Sequence, residues 1–488
     1  MKRFSSWSVC AGVVVAGCSL VNDPVPSVEP SGVTGSGAAT SSAASGGNGG
    51  AGGNGGAGGN GGAGGNGGST SAGGNGGAGG NGGAGGNGGA GICGNGVTEG
   101  TEECDDGNML DGDACSNCFA TAFDVDANGG TALSPLVAPD VAVTVSGGKE
   151  AFSVAWVRPG LALPLRSVYE PTGAPVTVQK SVSKLAAASY VRHAENALGR
   201  TVTTWQGEDA FLRYQVLGDE GFALPGASPS GGPAIAVVGN GNHCIAWLEL
   251  STLDARMRCL DAATSAPIGT SALVFGPAYA TDYQPVVLLP VNAGLVAWWR
   301  DPGGEIHAQR MTESGKKFGP AYSFPTTGPG DTPLDLGDGV ALADGSYVAA
   351  NTFKVQFGFP SGQARVGLTS VTATDVAKKI EPAIEAVDET EFPAFASAGG
   401  SDYVLFVTVK SGGGPPCELR AQRYKADGSL QKQGPSFSVG GASGACALGT
   451  RAVANQAGDV MVVWGSQLAG DPVKIRAAIY PGLVSPTP

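Results

Sequence analysis

The chain has 488 residues, room for two or three domains, but these are unequal because 84 residues are glycine and many of those fall between positions 46 and 91. Its 41 Asp and Glu against 28 Lys and Arg give a formal net charge of −13. That balance excludes nucleic acid, whose phosphates need clustered Lys and Arg, and argues equally against other polyanions.

At the N-terminus Lys2 and Arg3 precede an apolar stretch from Val9 to Ala16, the layout of an export signal. The stretch is too short to cross a bilayer, which needs roughly 20 apolar residues, and no other segment approaches that length. The run Val15-Ala16-Gly17-Cys18 resembles the lipobox of bacterial lipoproteins. That resemblance implies cleavage after residue 17, diacylation of the Cys18 thiol by palmitate-type chains and acylation of the new amine. Several buried chains, at ~0.8 kcal/mol per CH₂, hold where one would not. Ser19, standing where an Asp would retain the protein at the inner membrane, implies the outer membrane. The expected address is therefore the bacterial cell envelope, with the membrane as partner through the lipid. The alternative is an ordinary secretory signal cut near Ala16-Gly17.

Residues 18–91 read as the lipidated cysteine and a disordered tether. Its second half repeats Gly-Gly-Asn-Gly-Gly-Ala, with Asn48, Asn54, Asn60 and Asn66 in register and a slip at Ser69-Thr70-Ser71. It has no core to make, and as a flexible coil of about 70 residues it spans about 45 Å. A Gly-Gly-X helix packed on copies of itself is the alternative, without the Pro that stiffens such helices.

Residues 92–119 form a compact acidic module, with Cys93, Cys104, Cys115 and Cys118 around almost no apolar side chains. So small a unit needs staples, and two disulfides are expected, with three pairings open. Export to an oxidising space favours disulfides over a four-thiolate zinc site. The elements C-G-N-G, E-E-C-D-D-G-N, D-G-D and C-S-x-x-C resemble the cysteine-rich repeat abundant in myxobacterial surface proteins and found in related form in some eukaryotic extracellular proteins. That resemblance implies a myxobacterial or other deltaproteobacterial source and a cell-envelope setting. Asp105, Asp106, Asn108, Asp111 and Asp113 crowd oxygen donors that suit Ca²⁺, which takes six to eight oxygens. Tight Asp-Gly turns are the alternative reading of the same residues. No other cofactor is implied.

From residue 120 to 488 short alternating strands recur between Gly, Pro, Asn and Asp, an all-β pattern. A longer period overlies it. An apolar strand ends in an aromatic at Trp156, Trp205, Trp247, Trp298, Phe406 and Trp464, with a weaker copy ending at Asn351. A first strand precedes each, as in DVAVTV (140–145), PAIAVV (233–238) and RAVANQ (451–456). An Arg-bearing strand follows, as in LRSVY (165–169), FLRYQV (211–216) and IHAQRM (306–311). Four strands in about 40 to 50 residues is the period of a propeller blade, so the region resembles a seven-bladed β-propeller. Residues 122–126 read as a fourth strand for the last blade, closing the ring. Tandem β-sandwiches are the alternative, but they need about 100 residues each, twice this period.

Cys244 and Cys259 fall on the second and third strands of one unit, across a turn near Ser251 to Ala255, so a hairpin brings them face to face. Cys417 and Cys446 are paired by elimination. The recurrent Arg166, Arg213, Arg310, Arg420 and Arg476 are expected at equivalent blade positions in a packing role, and the tryptophans as core between blades. His193, His243 and His307 stand in different units, with no nucleophile or metal partner beside them in sequence. No G-x-S-x-G elbow, H-E-x-x-H helix or phosphate loop is present, nor the S-x-D-x-G-x-x-W boxes of propeller sialidases. The reading that follows is not an enzyme but a membrane-anchored, surface-displayed binding or scaffold module for a protein or glycan. The runner-up is an envelope hydrolase or lyase whose site is built from loops of several blades.

Overall fold

The computed structural model describes residues 115–116, 119–120 and, with breaks in the loops, 122–486. Cys18, the tether, and Cys93, Cys104, Cys118, Asp105, Asp106, Asn108, Asp111 and Asp113 lie outside the described residues. Of the acidic module, Cys115–Ser116 (β1) pairs antiparallel with Phe119–Ala120 (β2).

The rest is seven four-stranded antiparallel sheets. Blade 1 is β4 (Asp140–Ser146), β5 (Lys149–Arg158), β6 (Leu163–Tyr169) and β7 (Pro175–Ser181). Blade 2 is β8 (Ser189–Glu195), β9 (Thr201–Gln206), β10 (Leu212–Val216) and β11 (Phe222–Ala223). Blade 3 is β12 (Ala234–Val237), β13 (His243–Glu249), β14 (Asp254–Leu260) and β15 (Leu273–Pro277). Blade 4 is β16 (Val286–Val291), β17 (Gly294–Arg300), β18 (Ile306–Met311) and β19 (Lys317–Ser323). Blade 5 is β20 (Thr332–Ala341), β21 (Tyr347–Lys354), β22 (Ala364–Val371) and β23 (Ala377–Lys378). Blade 6 is β24 (Glu389–Ala396), β25 (Asp402–Lys410), β26 (Cys417–Lys425) and β27 (Lys432–Ser438). Blade 7 is β28 (Cys446–Ala454), β29 (Val460–Gln467) and β30 (Val473–Tyr480), completed by β3 (Phe123–Gly130) from the other end of the chain.

The first strands β4, β8, β12, β16, β20, β24 and β28 touch their neighbours in turn and close the ring, β28 against β4. This is the seven-bladed propeller, and tandem sandwiches are ruled out. The closing strand is acidic and its partners are basic. Asp126 takes Arg158 at 2.5 Å and the Trp156 indole N–H at 2.9 Å, while Asp124 faces Lys474 at 3.0 Å and Arg476 at 3.3 Å. Closure leaves no inner edge for another chain to pair with.

Burial follows position in the blade. Second strands lie between neighbouring blades and are apolar on both faces, so all seven residues of β13 are buried. Outer strands face water, and β7 and β19 are almost wholly exposed. Trp156, Trp205, Trp298 and Trp464 are fully buried in clusters that join adjacent blades, as expected for core residues. At ~25 cal/mol per Å² and 150–250 Å² each, burial of one such ring contributes up to about 4–6 kcal/mol.

Blade 5 departs from the pattern. Its second strand runs past Asn351 to Lys354, and Asn351 is buried where other blades place an indole or phenyl ring. Tyr347 stacks on Trp298 with centroids 6.4 Å apart, and Phe353 is buried on the same strand. Its first strand also bulges: Leu336 pairs with Asn351 and Gly339 with Ala349, so Gly337 and Asp338 together oppose Ala350. Both glycines are required by close approach, since a Cβ on Gly337 would lie 2.3 Å from the Ala350 carbonyl oxygen and one on Gly339 2.8 Å from the Trp298 ring.

Candidate functional site

The first strands surround a central channel, and strand register places one residue of each at the same level. Asp140, Arg192 and Arg451 pair with Ala155, Thr204 and Val463, each immediately before the aromatic of its second strand. The same rule selects Ala234, Leu288 and Phe395 on blades 3, 4 and 6, and the bulge brings Asp338 to this level on blade 5. Reading round the ring from blade 7 gives Arg451, Asp140, Arg192, Ala234, Leu288, Asp338 and Phe395. All line a cavity of about 410 Å³. A second cavity of about 590 Å³ continues between blades 4 and 7 toward the turns joining first and second strands, and its lining is chiefly apolar.

The charged groups are buried and engaged. Asp140 Oδ2 accepts the backbone N–H of His193 at 2.7 Å and lies 3.5 Å from His193 Nδ1, while its Oδ1 is 3.9 Å from Arg451 Nε. Burial would raise the Asp140 pKa, but the His193 hydrogen bond and the charges of Arg192, His193 and Arg451 outweigh it and hold the carboxyl below the usual range. Arg451 donates through Nη1 to the Thr450 carbonyl at 3.1 Å and through Nη2 to Gln284 Oε1. Gln284 precedes the first strand of blade 4, so this last bond crosses the channel from blade 7.

Asp338 is bound in the same manner but sits elsewhere. Its Oδ2 accepts the Phe395 N–H of the next blade at 3.0 Å, and its Oδ1 accepts the Gly339 N–H at 2.8 Å. Burial pushes its carboxyl above the usual range, with Asp140 adding to the rise, against the opposing effects of Arg451 and the two amides.

A Ser-His-Asp sequence of contacts occurs beside the channel: Ser153 Oγ is 3.1 Å from His193 Nε2, and His193 Nδ1 is 3.5 Å from Asp140. It lacks what hydrolysis needs. Ser153 is buried within β5, does not line the cavity, and accepts Arg166 Nε at 2.6 Å. His193 Nε2 is also 2.9 Å from the Ser153 carbonyl oxygen, which can only accept, so this nitrogen carries a proton and is no base. Arg166 continues through Thr144 at 3.1 Å to Glu195, which also accepts Thr201 at 2.6 Å, stapling blades 1 and 2.

Two expectations from sequence are corrected. The arginines of the third strands are not equivalent. Arg213 and Arg476 pair with the aromatic itself, Arg310 pairs two residues away from it, and Arg166 and Arg420 pair one residue away and so project from the opposite sheet face. His193 and His307, which sequence left without partners, both face carboxylates. The Cys244–Cys259 disulfide is present, with the two residues directly opposite across β13 and β14. Cys417 is disulfide-bonded too; the side chain of Cys446 lies outside the described residues. The channel residues were not singled out from sequence. The available signal was an Asp or Arg opening an inner strand, at DVAVTV and RAVANQ, where other blades open on apolar residues.

Residues 90–119 match a family described as a domain of unknown function (DUF4215). No curated protein matches the chain in sequence. Among solved structures, a polysaccharide lyase of family PL25, an ulvan lyase bound to -[GlcA(1-4)Rha3S]-, is 11% identical with a TM-score of 0.50, covering 73% of this chain and 95% of its own. The BP39L lectin from Burkholderia pseudomallei is 12% identical, TM-score 0.45, covering 70% and 98%. The N-terminal domain of Nup159 is 12% identical, TM-score 0.42, covering 74% and 95%. At such identities the likeness is one of fold.

Proposed function

We propose that the propeller is a binding module for a protein or glycan, held at the cell envelope by lipid on Cys18, and that its ligand enters the polar end of the central channel. The observation that carries this reading is the convergence of Asp140, Arg192, His193, Glu195, Gln284, Asp338 and Arg451 on one cavity whose remaining walls are apolar. A few fixed polar groups in an apolar pocket is the general form of a recognition site. A ligand oxygen that replaces Gln284 on Arg451 enters without leaving the guanidinium unpaired.

A second reading, an envelope hydrolase or lyase, is favoured by one observation. Two carboxyls on one cavity, one held acidic and the other raised, are the pattern that divides acid and base roles. A glycan and envelope-protein screen with the wild-type chain and Arg451→Gln separates the two. Retained, unaltered ligand that the variant releases supports binding; shortened or unsaturated products support the enzyme. Capture unchanged in Arg451→Gln removes the channel from both. For the anchor, Cys18→Ser is expected to release the protein from membranes, and persistence in the membrane fraction contradicts it.

A further inference from the structure

We infer that Asp301 and Glu305, in the turn after β17, and His307, at the start of β18, form a site for a divalent transition-metal ion of the zinc class. One donor atom from each lies within 4.8 Å of the other two. His307 Nε2 is 3.0 Å from Asp301 Oδ2 and 4.0 Å from Glu305 Oε2. Donors bound to one tetrahedral ion at about 2.1 Å stand roughly 3.4 Å apart, between those two values. An ion between them needs the Glu305 carboxylate to move inward by up to about an ångström, which its exposed side chain can supply by a rotamer adjustment without a new loop conformation.

The hairpin fixes Asp301 and His307 before any ion arrives, and Glu305 closes on them from the surface. Asp301 N donates to the Glu305 carbonyl at 2.8 Å, Gly304 N to the Asp301 carbonyl at 3.0 Å, and Glu305 N to Asp301 Oδ1 at 2.8 Å. The backbone thus takes one carboxylate oxygen and leaves Oδ2 turned toward His307. The imidazole is oriented from its far side, with Nδ1 3.2 Å from Ser323 Oγ on β19 and its ring 5.8 Å from that of Trp299. A hydrogen bond to the remote ring nitrogen is the outer contact that metal-binding histidines use.

The donor set selects the ion. One imidazole nitrogen with two carboxylates suits Zn²⁺, whereas Ca²⁺ and Mg²⁺ prefer oxygen alone. Three protein donors leave a fourth position, and Glu305 is exposed, so that position opens to solvent. The site belongs to blade 4 alone and does not depend on the channel reading.

The test is calorimetric titration of chelator-treated full-length protein with Zn²⁺, beside His307→Ala and Glu305→Gln. The acidic module is another place for a cation, so the readout is the difference between proteins. Wild type is expected to bind one more Zn²⁺ per chain than His307→Ala, and Glu305→Gln to bind it at least ~10-fold more weakly. Glu305 is on the surface, so its variant reports on the ion even if His307→Ala folds poorly. Equal stoichiometry and affinity in all three proteins overturns the site and leaves Asp301 and His307 as a turn-stabilising pair.

Discussion

Asp140 and Asp338 face the same channel from blades 1 and 5, and each accepts a backbone N–H from the next blade, His193 and Phe395 respectively. Their acidities nonetheless move apart. Around Asp140 stand Arg192, Arg451 and His193; Asp338 has the Gly339 and Phe395 amides, with Arg451 the cation acting on it. The difference teaches that the inter-blade hydrogen bond is common to both and the electrostatic surroundings are not. The blade 7-1-2 side is a charge-balanced staple, whereas the blade 5 side keeps a carboxyl that is costly to ionise.

Removing the charge on the balanced side has the largest expected effect. Asp140→Ala removes the acceptor of the His193 N–H and the countercharge that faces Arg192, His193 and Arg451, and is expected to lose about 3–5 kcal/mol in denaturant unfolding. The carboxyl is held below its usual range, so its contribution is present above the ordinary carboxylate pKa and fades as pH falls through the lowered value. The deficit of the variant should therefore shrink in acid. A loss under about 1 kcal/mol at neutral pH would make the staple an ornament of the fold.

The bulge that delivers Asp338 is tested next. Gly339→Ala places a methyl against the Trp298 ring and 3.1 Å from the Val348 carbonyl oxygen, and is expected to cost about 1–3 kcal/mol. The smallest effect belongs to Asp338 itself. Its raised pKa means that the folded state holds the proton more tightly than the unfolded chain, so stability falls as pH rises from the usual carboxylate value through the raised one. Asp338→Asn removes the charge penalty but keeps only one of the two acceptor oxygens and sets an N–H₂ against the other backbone N–H, so at neutral pH the two effects offset and the net loss is expected to be at most about 1 kcal/mol. A variant as damaging as Asp140→Ala would erase the contrast between the two sides.

Much of the architecture was legible because it is written in local patterns. The second strands read as apolar runs ending in Trp or Phe since they are buried on both faces, and the 122–126 segment announced a strand without a partner nearby. The cysteines at 244 and 259 announced their own hairpin. The channel was not legible, since its charged residues come from strands about fifty residues apart and share no motif. Asp338 was hidden further, because its place depends on an extra residue that breaks the two-residue alternation. The arginines misled for the same reason: which face a strand residue occupies depends on its partner register. His307 lacked a neighbour in the sequence reading although Asp301 is six residues away, because a hairpin, not a helix, brings them together.

Amide hydrogen exchange of the full chain with and without a captured ligand shows whether the ligand occupies the central channel. New protection is expected at the ring formed by Asp140, Arg192, Asp338 and Arg451 and the adjoining ends of the first strands. Protection confined to the outer strands or to residues 92–119, with the channel strands unchanged, would contradict binding in the channel.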